Sequence, residues 1–387
     1  MRILFFLHKI GPYHHARFTE LAKNCELIAV EILPDSKEYD WQNIDTGVNY
    51  QRVQMKTNAH GQELKGSALL HEIRNLIDWY RPQAIITMGW SNRTYMAALY
   101  LAKKEKIPVF SMSDSTYNDV KRYPIMESIK SYIATSFDGF VTAGRRSENY
   151  LLKLGVSPEI IFKPFDVVDN SHFQVEGKRM LSFDYDSPYL LCISRYIPKK
   201  NLFTLIEAFH HYITLHPEEK TVLYIVGSGP LESALKARIS KYTHHQIRLH
   251  PFVQYDELPS LYHHARGLIL ASTSDQWGLV VNEAMAAGLP VMVSNRCGCV
   301  DDLVIDGENG WVFEPSLEGI VTTLEKFFAQ SPEKLREMGM KGQKIIQAYD
   351  LKDYKIAVLS MIDNARKATR KWSRFQKLIV FLRIFLS

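Results

Sequence analysis

The chain of 387 residues is long enough for two domains. Its content of 46% hydrophobic and 12% aromatic residues excludes a disordered chain and supplies material for two cores. A net charge of +5 is mild: it suits anionic small ligands or a membrane surface and gives no ground for nucleic-acid binding. Taken in order, residues 2–7 read as an apolar strand, Gly11-Pro12-Tyr13-His14-His15 as a loop and 16–23 as a helix. Such a strand–glycine–helix opening puts the loop on the edge of an open sheet where ligands bind. His14 and His15 are candidate acceptor contacts there, with solvation or helix capping as the competing reading. Residues 26–33 read as a second strand, and 34–66 as a loop with a short hairpin, long enough to carry an acceptor site. A helix over 67–80, a strand over 84–88, a loop over 89–93, a helix over 94–105 and a strand over 108–112 follow. Asp114, at that strand's carboxyl end, is a candidate site acid or a helix cap. The series continues with a helix over 124–137, a strand over 139–143 and a helix over 146–154. The charged, weakly periodic stretch 174–188 reads as the linker between a first domain, 1–173, and a second, 189–365.

The second series opens with a strand over 189–194 and the loop Arg195-Tyr196-Ile197-Pro198-Lys199-Lys200-Asn201, then a helix over 202–215. A strand over 222–226, the turn Gly227-Ser228-Gly229-Pro230, a helix over 231–242, a strand over 247–253 and a helix over 255–264 lead to the central stretch. There a strand over 267–271 meets the polar loop 272–278, a helix over 279–287 is stopped by Gly288-Leu289-Pro290, and 291–293 reads as the next strand. The amides of Gly278, Leu279 and Val280 at the helix start suit an anion such as a phosphate. Asp275 lies in the loop and Glu283 on the second helical turn, placed to accept sugar or ribose hydroxyls over the helix start and from its side. The competing reading is an ordinary crossover with solvated acids. Arg195 and Lys200 leave a strand end on the same sheet edge, where two fixed cations can hold a diphosphate as it departs. A turn feeding a strand over 306–313 and helices over 317–329, 333–348 and 351–368 complete the domain.

The string Asp275…Glu283-Ala284-Met285-Ala286-Ala287-Gly288-Leu289-Pro290-Val291 resembles the donor motif of the family 4 retaining glycosyltransferases, over about 190–315. The family's first acid is Glu; Asp275 stands here at the same spacing, with a carboxylate about 1.5 Å shorter in reach. The resemblance implies two doubly wound Rossmann-like α/β domains facing across a cleft (GT-B), with the last helix crossing back to the first domain. It implies that Arg195 and Lys200 bind the donor diphosphate, that Gly11, Gly227 and Gly229 let backbone lie close to the donor, that Glu283 grips the ribose and that Asp275 contacts the sugar. Many family members carry His where this chain has Asp114. The implied activity is retaining, metal-independent transfer of a hexose from a UDP- or GDP-hexose to a saccharide or lipid-linked acceptor, as in cell-envelope or exopolysaccharide biosynthesis. No cofactor and no metal are assigned. A nucleotide-sugar epimerase of the same architecture and a non-catalytic nucleotide-sugar-binding protein are the alternatives.

The cysteines Cys25, Cys192, Cys297 and Cys299 show no disulfide spacing, which implies a reducing, cytoplasmic setting. The chain opens on a strand rather than a signal sequence, and no apolar run reaches the ~20 residues of a spanning helix. Residues 366–387 are a basic, amphipathic tail. Residues 351–372 are expected to pack on the first domain, and 373–387 are the candidate contact with an anionic membrane, on the inner face of the plasma membrane.

Overall fold

The computed structural model describes residues 1–33, 49–177, 179–180, 183–365 and 372–386. The chain forms two compact units, residues 1–167 with 351–387, and residues 168–350. In the first, a seven-stranded sheet runs β3-β2-β1-β4-β5-β6-β7: β1 Arg2–Leu7, β2 Glu26–Glu31, β3 Gln51–Gln54, β4 Ala84–Thr87, β5 Val109–Ser113, β6 Gly139–Thr142 and β7 Ile161–Phe162. Every pair is parallel. Among the described residues, five helices connect these strands: α1 Pro12–Leu21, α2 Gly66–Tyr80, α3 Arg93–Lys104, α4 Pro124–Ala134 and α5 Arg145–Lys153. Strands buried on both faces are what near-continuous apolar runs such as Ile3 to Leu7 require.

The second unit opens with the short helix α6, Asn170–Gln174. Its six-stranded parallel sheet runs β8 to β13 in the order β10-β9-β8-β11-β12-β13: β8 Tyr189–Ile193, β9 Val222–Val226, β10 Ile247–His250, β11 Gly267–Leu270, β12 Val291–Ser294 and β13 Gly310–Phe313. Its further helices are α7 Leu202–Leu215, α8 Glu232–Ile239, α9 Leu258–His264, α10 Leu279–Ala286, α11 Val300–Leu303, α12 Leu317–Phe328 and α13 Pro332–Ile346. In both sheets the strand order reverses beside the first strand, between β1 and β4 and between β8 and β11. Loops leaving the carboxyl ends of those strands flank the crevice where a doubly wound sheet takes its ligand.

The last helices, α14 Leu351–Ala365 and α15 Arg374–Leu386, belong to the first unit: α14 packs on α1 and β6, α15 on α3 and α4. The crossing back expected of the last helix is therefore present and begins at Leu351, inside the span 189–365 expected for the second domain. The expected linker, 174–188, lies within the second unit instead of between domains, because Phe183 packs against Tyr189 and Tyr224. The composition there is polar, but Phe183 and Tyr185, the latter against His264, tie it down. Helix α1 starts earlier than its apolar pattern suggests, with Pro12 at its first turn. In the irregular stretch 34–66, residues 34–48 lie outside the described residues; β3 adds an edge strand parallel to β2, and a single antiparallel bridge, Thr57 with Glu63, stands where a hairpin was expected.

Candidate active site

Two glycines shape the first wall of the crevice in the second unit. Gly227 and Gly229, at the carboxyl end of β9, have φ of +151° and +148°. A Cβ on Gly227 would lie 2.0 Å from the Ser194 carbonyl oxygen, and one on Gly229 would lie 2.8 Å from that of Tyr196. Their absent side chains therefore let the loop after β9 press on the loop after β8. The Tyr196 amide donates to the Ser228 carbonyl (2.7 Å), and its buried hydroxyl donates to the carbonyl of Ile225 (2.8 Å). Arg195, between Ser194 and Tyr196, is thus carried on a pinned backbone.

Lys200 ends the turn that follows. Its Nζ donates to Asp275 Oδ2 at 2.5 Å, and each side chain is 13% exposed. The Thr273 amide donates to the Lys199 carbonyl (2.8 Å), which ties the two loops together beside the contact. The Asp275 loop has a second support. Its carbonyl accepts from the Gly298 amide (2.9 Å), and that of Trp277 from the Cys299 amide (3.2 Å). A Cβ on Gly298 would fall 1.8 Å from the Gln276 carbonyl oxygen. Cys297-Gly298-Cys299 is therefore a backbone seat for the loop, with both cysteines buried and in no disulfide. Trp277 Nε1 donates to Asn282 Oδ1 at 2.9 Å and locks loop to helix. Gly278 caps α10 at φ +104°, and the Leu279 and Val280 amides open the helix with no intrahelical partner.

Glu283 departs from expectation. It is fully buried, and its Oε2 accepts from the Tyr262 hydroxyl at 2.6 Å. The carboxylate does not stand open at the side of the helix. Lys200, Asp275 and the start of α10 are brought together, with Arg195 on the same loop as Lys200. Tyr262, Tyr196 and Gly298 escape the sequence reading; only Gly298, flanked by cysteines, left a mark in the sequence.

In the first unit, the loops after β1 and β4 meet where Asn92 Nδ2 lies 3.2 Å from His8 Nε2. Asn92 Oδ1 also accepts from the Thr94 amide and so caps α3. Asp114 directly follows β5. Gly11 caps α1 in an extended conformation, φ −102°, that any residue adopts. The histidines lie inside α1, half-buried, and the helix has no side-chain cap hydrogen bond. His14 stacks on Phe18, and burial, with Arg17 beside it, pulls its pKa from 6.5 to about 3. His15 Nδ1 lies 3.0 Å from the Tyr50 hydroxyl, and burial, with Arg52 nearby, lowers its pKa. Both rings are thus biased toward the neutral form, able to accept or donate one hydrogen bond at each nitrogen.

The chain carries one Asp-x-Asp string, Asp184-Tyr185-Asp186. It precedes β8, at the opposite end of the sheet from Lys200 and Asp275. Asp184 Oδ1 accepts from the Asp186 amide (3.0 Å) and Oδ2 from Arg248 (2.7 Å), so the string forms a turn. Among the described residues, no three His, Cys, Asp or Glu side chains cluster as a metal site.

Two parallel-sheet Rossmann-like units with loops converging at a strand-order reversal define the GT-B architecture of many glycosyltransferases. The fold superposes on sucrose-phosphate synthase from Thermosynechococcus elongatus (TM-score 0.74, 15% identity, 95% of this chain and 100% of that one). It also superposes on HepE of Anabaena in complex with UDP and glucose (TM-score 0.72, 14% identity, 93% and 99%). Residues 176–345 match the family model described as glycosyl transferases group 1. Alpha-monoglucosyldiacylglycerol synthase of Acholeplasma laidlawii is 25% identical over 300 residues, 70% of this chain and 74% of that protein. The capsular polysaccharide biosynthesis glycosyltransferase CapM of Staphylococcus aureus is 25% identical over 251 residues, 64% and 60%. The family model and these relatives support the glycosyltransferase group 1 superfamily for this chain.

Proposed function

We propose that this protein is a retaining, family 4 glycosyltransferase that moves a hexose from a UDP- or GDP-hexose to a saccharide or lipid-linked acceptor. The observation that carries the reading is the Lys200–Asp275 contact beside the open amides of Leu279 and Val280. An anion bound at those amides meets the positive end of the α10 dipole. Lys200, adjacent through Asp275, and Arg195, on the same loop, supply the positive charge that a departing nucleoside diphosphate needs. In this reading the transfer needs no metal, Gly227, Gly229 and Gly278 let backbone approach the donor, and Glu283 reaches the ribose once Tyr262 yields its hydrogen bond.

The acceptor falls to the first unit, where Asp114, Gly11, His14 and His15 lie on or near the loops that leave β5 and β1. The names of two relatives, one a diacylglycerol glucoside synthase and one a capsular polysaccharide transferase, favour a lipid-linked or envelope acceptor made at a cytoplasmic membrane face. No helix among the described residues is long and apolar enough to cross a membrane, so that face is reached peripherally, with 373–387 as the candidate contact. Product analysis tests the reaction. Incubation with each donor and a membrane saccharide extract is expected to yield a glycoside with the donor's anomeric configuration by NMR, with chelator present. An inverted glycoside would overturn retention, and an epimerised donor without glycoside would replace the reading with the epimerase.

A further inference from the structure

The first unit repeats the plan of the second, so it too has a crevice where its strand order reverses, between the loops leaving β1 and β4. Around it stand His8 after β1, Gly89 and Asn92 after β4, Thr94 and Tyr95 in the first turn of α3, and Glu63 from the turn that precedes α2. The proposed function assigns none of them. The loop after β1 is pinned: the His8 carbonyl accepts from the Leu33 amide (3.0 Å), and the Ile10 amide donates to Glu31 Oε1 (2.8 Å). Glu63 ends a closed turn, in which Asn58 Oδ1 accepts from the His60 and Gln62 amides (both 2.9 Å) and Thr57 bridges to Glu63. The Glu63 carboxylate in turn accepts from the Thr94 hydroxyl. Asn92 Oδ1 is taken up by the Thr94 amide, so its amide nitrogen donates to His8 Nε2 and leaves Nδ1 as the donor of that ring.

Tyr95 is the odd member of this set. It is 3% exposed, its ring stands edge-on to His8 at 6.1 Å, and its hydroxyl has no hydrogen-bond partner among the described residues. A hydroxyl buried without a partner costs stability, and native folds leave few of them. Burial, with the charge of Glu63 nearby, pushes its pKa up, so it stays a protonated donor close to that carboxylate. Gly89, at φ +101°, keeps the flank of the ring open, since a Cβ there would lie 3.8 Å from it.

We infer that this crevice is a saccharide subsite that takes an uncharged hexose ring by its hydroxyls, with Glu63 accepting and with Tyr95 and His8 donating. The inference deepens the proposed function and rests on it in one respect only, that the ring bound here belongs to the acceptor. The chemistry selects the ligand. A carboxylate accepts two hydroxyls well, and the unmet Tyr95 hydroxyl is completed by a ligand hydroxyl that enters beside Glu63. The His8 and Tyr95 rings offer an apolar wall with polar tips, the combination that orients a ligand carrying both kinds of surface. Glu63 already answers the positive end of α3, so that helix start is not left for a phosphate. Among acceptors, the subsite therefore favours one that ends in a neutral sugar.

The test is saturation-transfer NMR on the full chain with the methyl α- and β-glycosides of glucose, galactose and mannose, without a nucleotide sugar. At least one glycoside is expected to receive saturation, and Asp275→Asn is expected to leave that signal intact, because Asp275 lies in the other unit. Glu63→Gln is expected to weaken binding about ten-fold through loss of a charged acceptor. Tyr95→Phe is expected to weaken it too, yet to unfold at a temperature no lower than wild type, since the deleted hydroxyl has no partner to lose. A purely structural tyrosine would change unfolding and leave glycoside binding alone. Should Glu63→Gln fail to fold, Tyr95→Phe carries the test. No signal from any glycoside, wild-type binding by either variant, or displacement of the glycoside by inorganic phosphate would overturn the subsite. Loss of the signal in Asp275→Asn would move the glycoside to the second unit and overturn it as well. Neither nucleotide nor turnover enters the test, so a failure of the transferase reading and a failure of this subsite are read separately.

Discussion

Lys200 and Asp275 share a contact at a site only partly open to water; in the proposed reading it pairs a cation for a diphosphate with an acid for a sugar. Held this way, neither side chain needs to reorganise much as charge develops on a leaving group. The roles are separable. Asp275→Asn is expected to lower turnover about a hundred-fold while leaving free-nucleotide affinity within about two-fold, because the lost contact matters in the transition state. Steady-state kinetics beside calorimetric titration measures both, and parallel losses would reassign Asp275 to nucleotide binding. His14 makes a different prediction. Its folded pKa, about 3, lies below the unfolded 6.5, so the unfolded chain binds the extra proton between those values. The neutral ring's contribution is complete above pH 6.5 and declines as pH falls toward 3. His14→Gln is expected to flatten the fall of unfolding free energy in that window, measured by urea melts at stepped pH. An unchanged slope would mean that other groups govern it.

Elements set these residues in place, and most elements were legible. Apolar runs such as Ile3 to Leu7 and Val222–Val226 suit buried parallel strands. The segment from Gly267 to Val293 was legible for a further reason: its loop, helix and stop signals all agree. Contacts between loops distant in sequence were not legible. Nothing local says that Gly298 seats Gln276, or that Tyr262 covers Glu283, since both depend on how two crossovers pack. Gly298→Ala tests the seat. A methyl 1.8 Å from the Gln276 carbonyl oxygen must push the Asp275 loop aside. Overpacking of this kind costs about 1–3 kcal/mol, and donor affinity should fall with it. Wild-type stability and donor affinity in calorimetry would show that the loop has room.

The whole chain repeats one plan. Each unit is a parallel sheet whose strand order reverses beside its first strand, and the alternation of strands and helices made that plan readable. Where one unit stops and the other starts was harder to read, because polar composition at 174–188 imitates a linker while Phe183 packs into the second unit. The return of 351–386 to the first unit left no mark in periodicity; it came from family resemblance. Tyr354, Val358, Met361 and Ile362 of α14 are buried there. A chain ending at Asp350 is therefore expected to lose stability in the first unit while the second keeps its protection, as hydrogen exchange would resolve. Equal loss in both units would contradict that division. The central claim, a nucleotide-sugar site at Lys200, Asp275 and the start of α10, is tested most directly by thermal unfolding against UDP-, GDP- and ADP-sugars. A donor at a hundred times its dissociation constant adds about 2.7 kcal/mol, a shift of roughly 2–4 °C for a chain this size. The account predicts that shift with a UDP- or GDP-sugar and its loss in Glu283→Gln. No shift with any donor, or an equal shift in the variant, would contradict it.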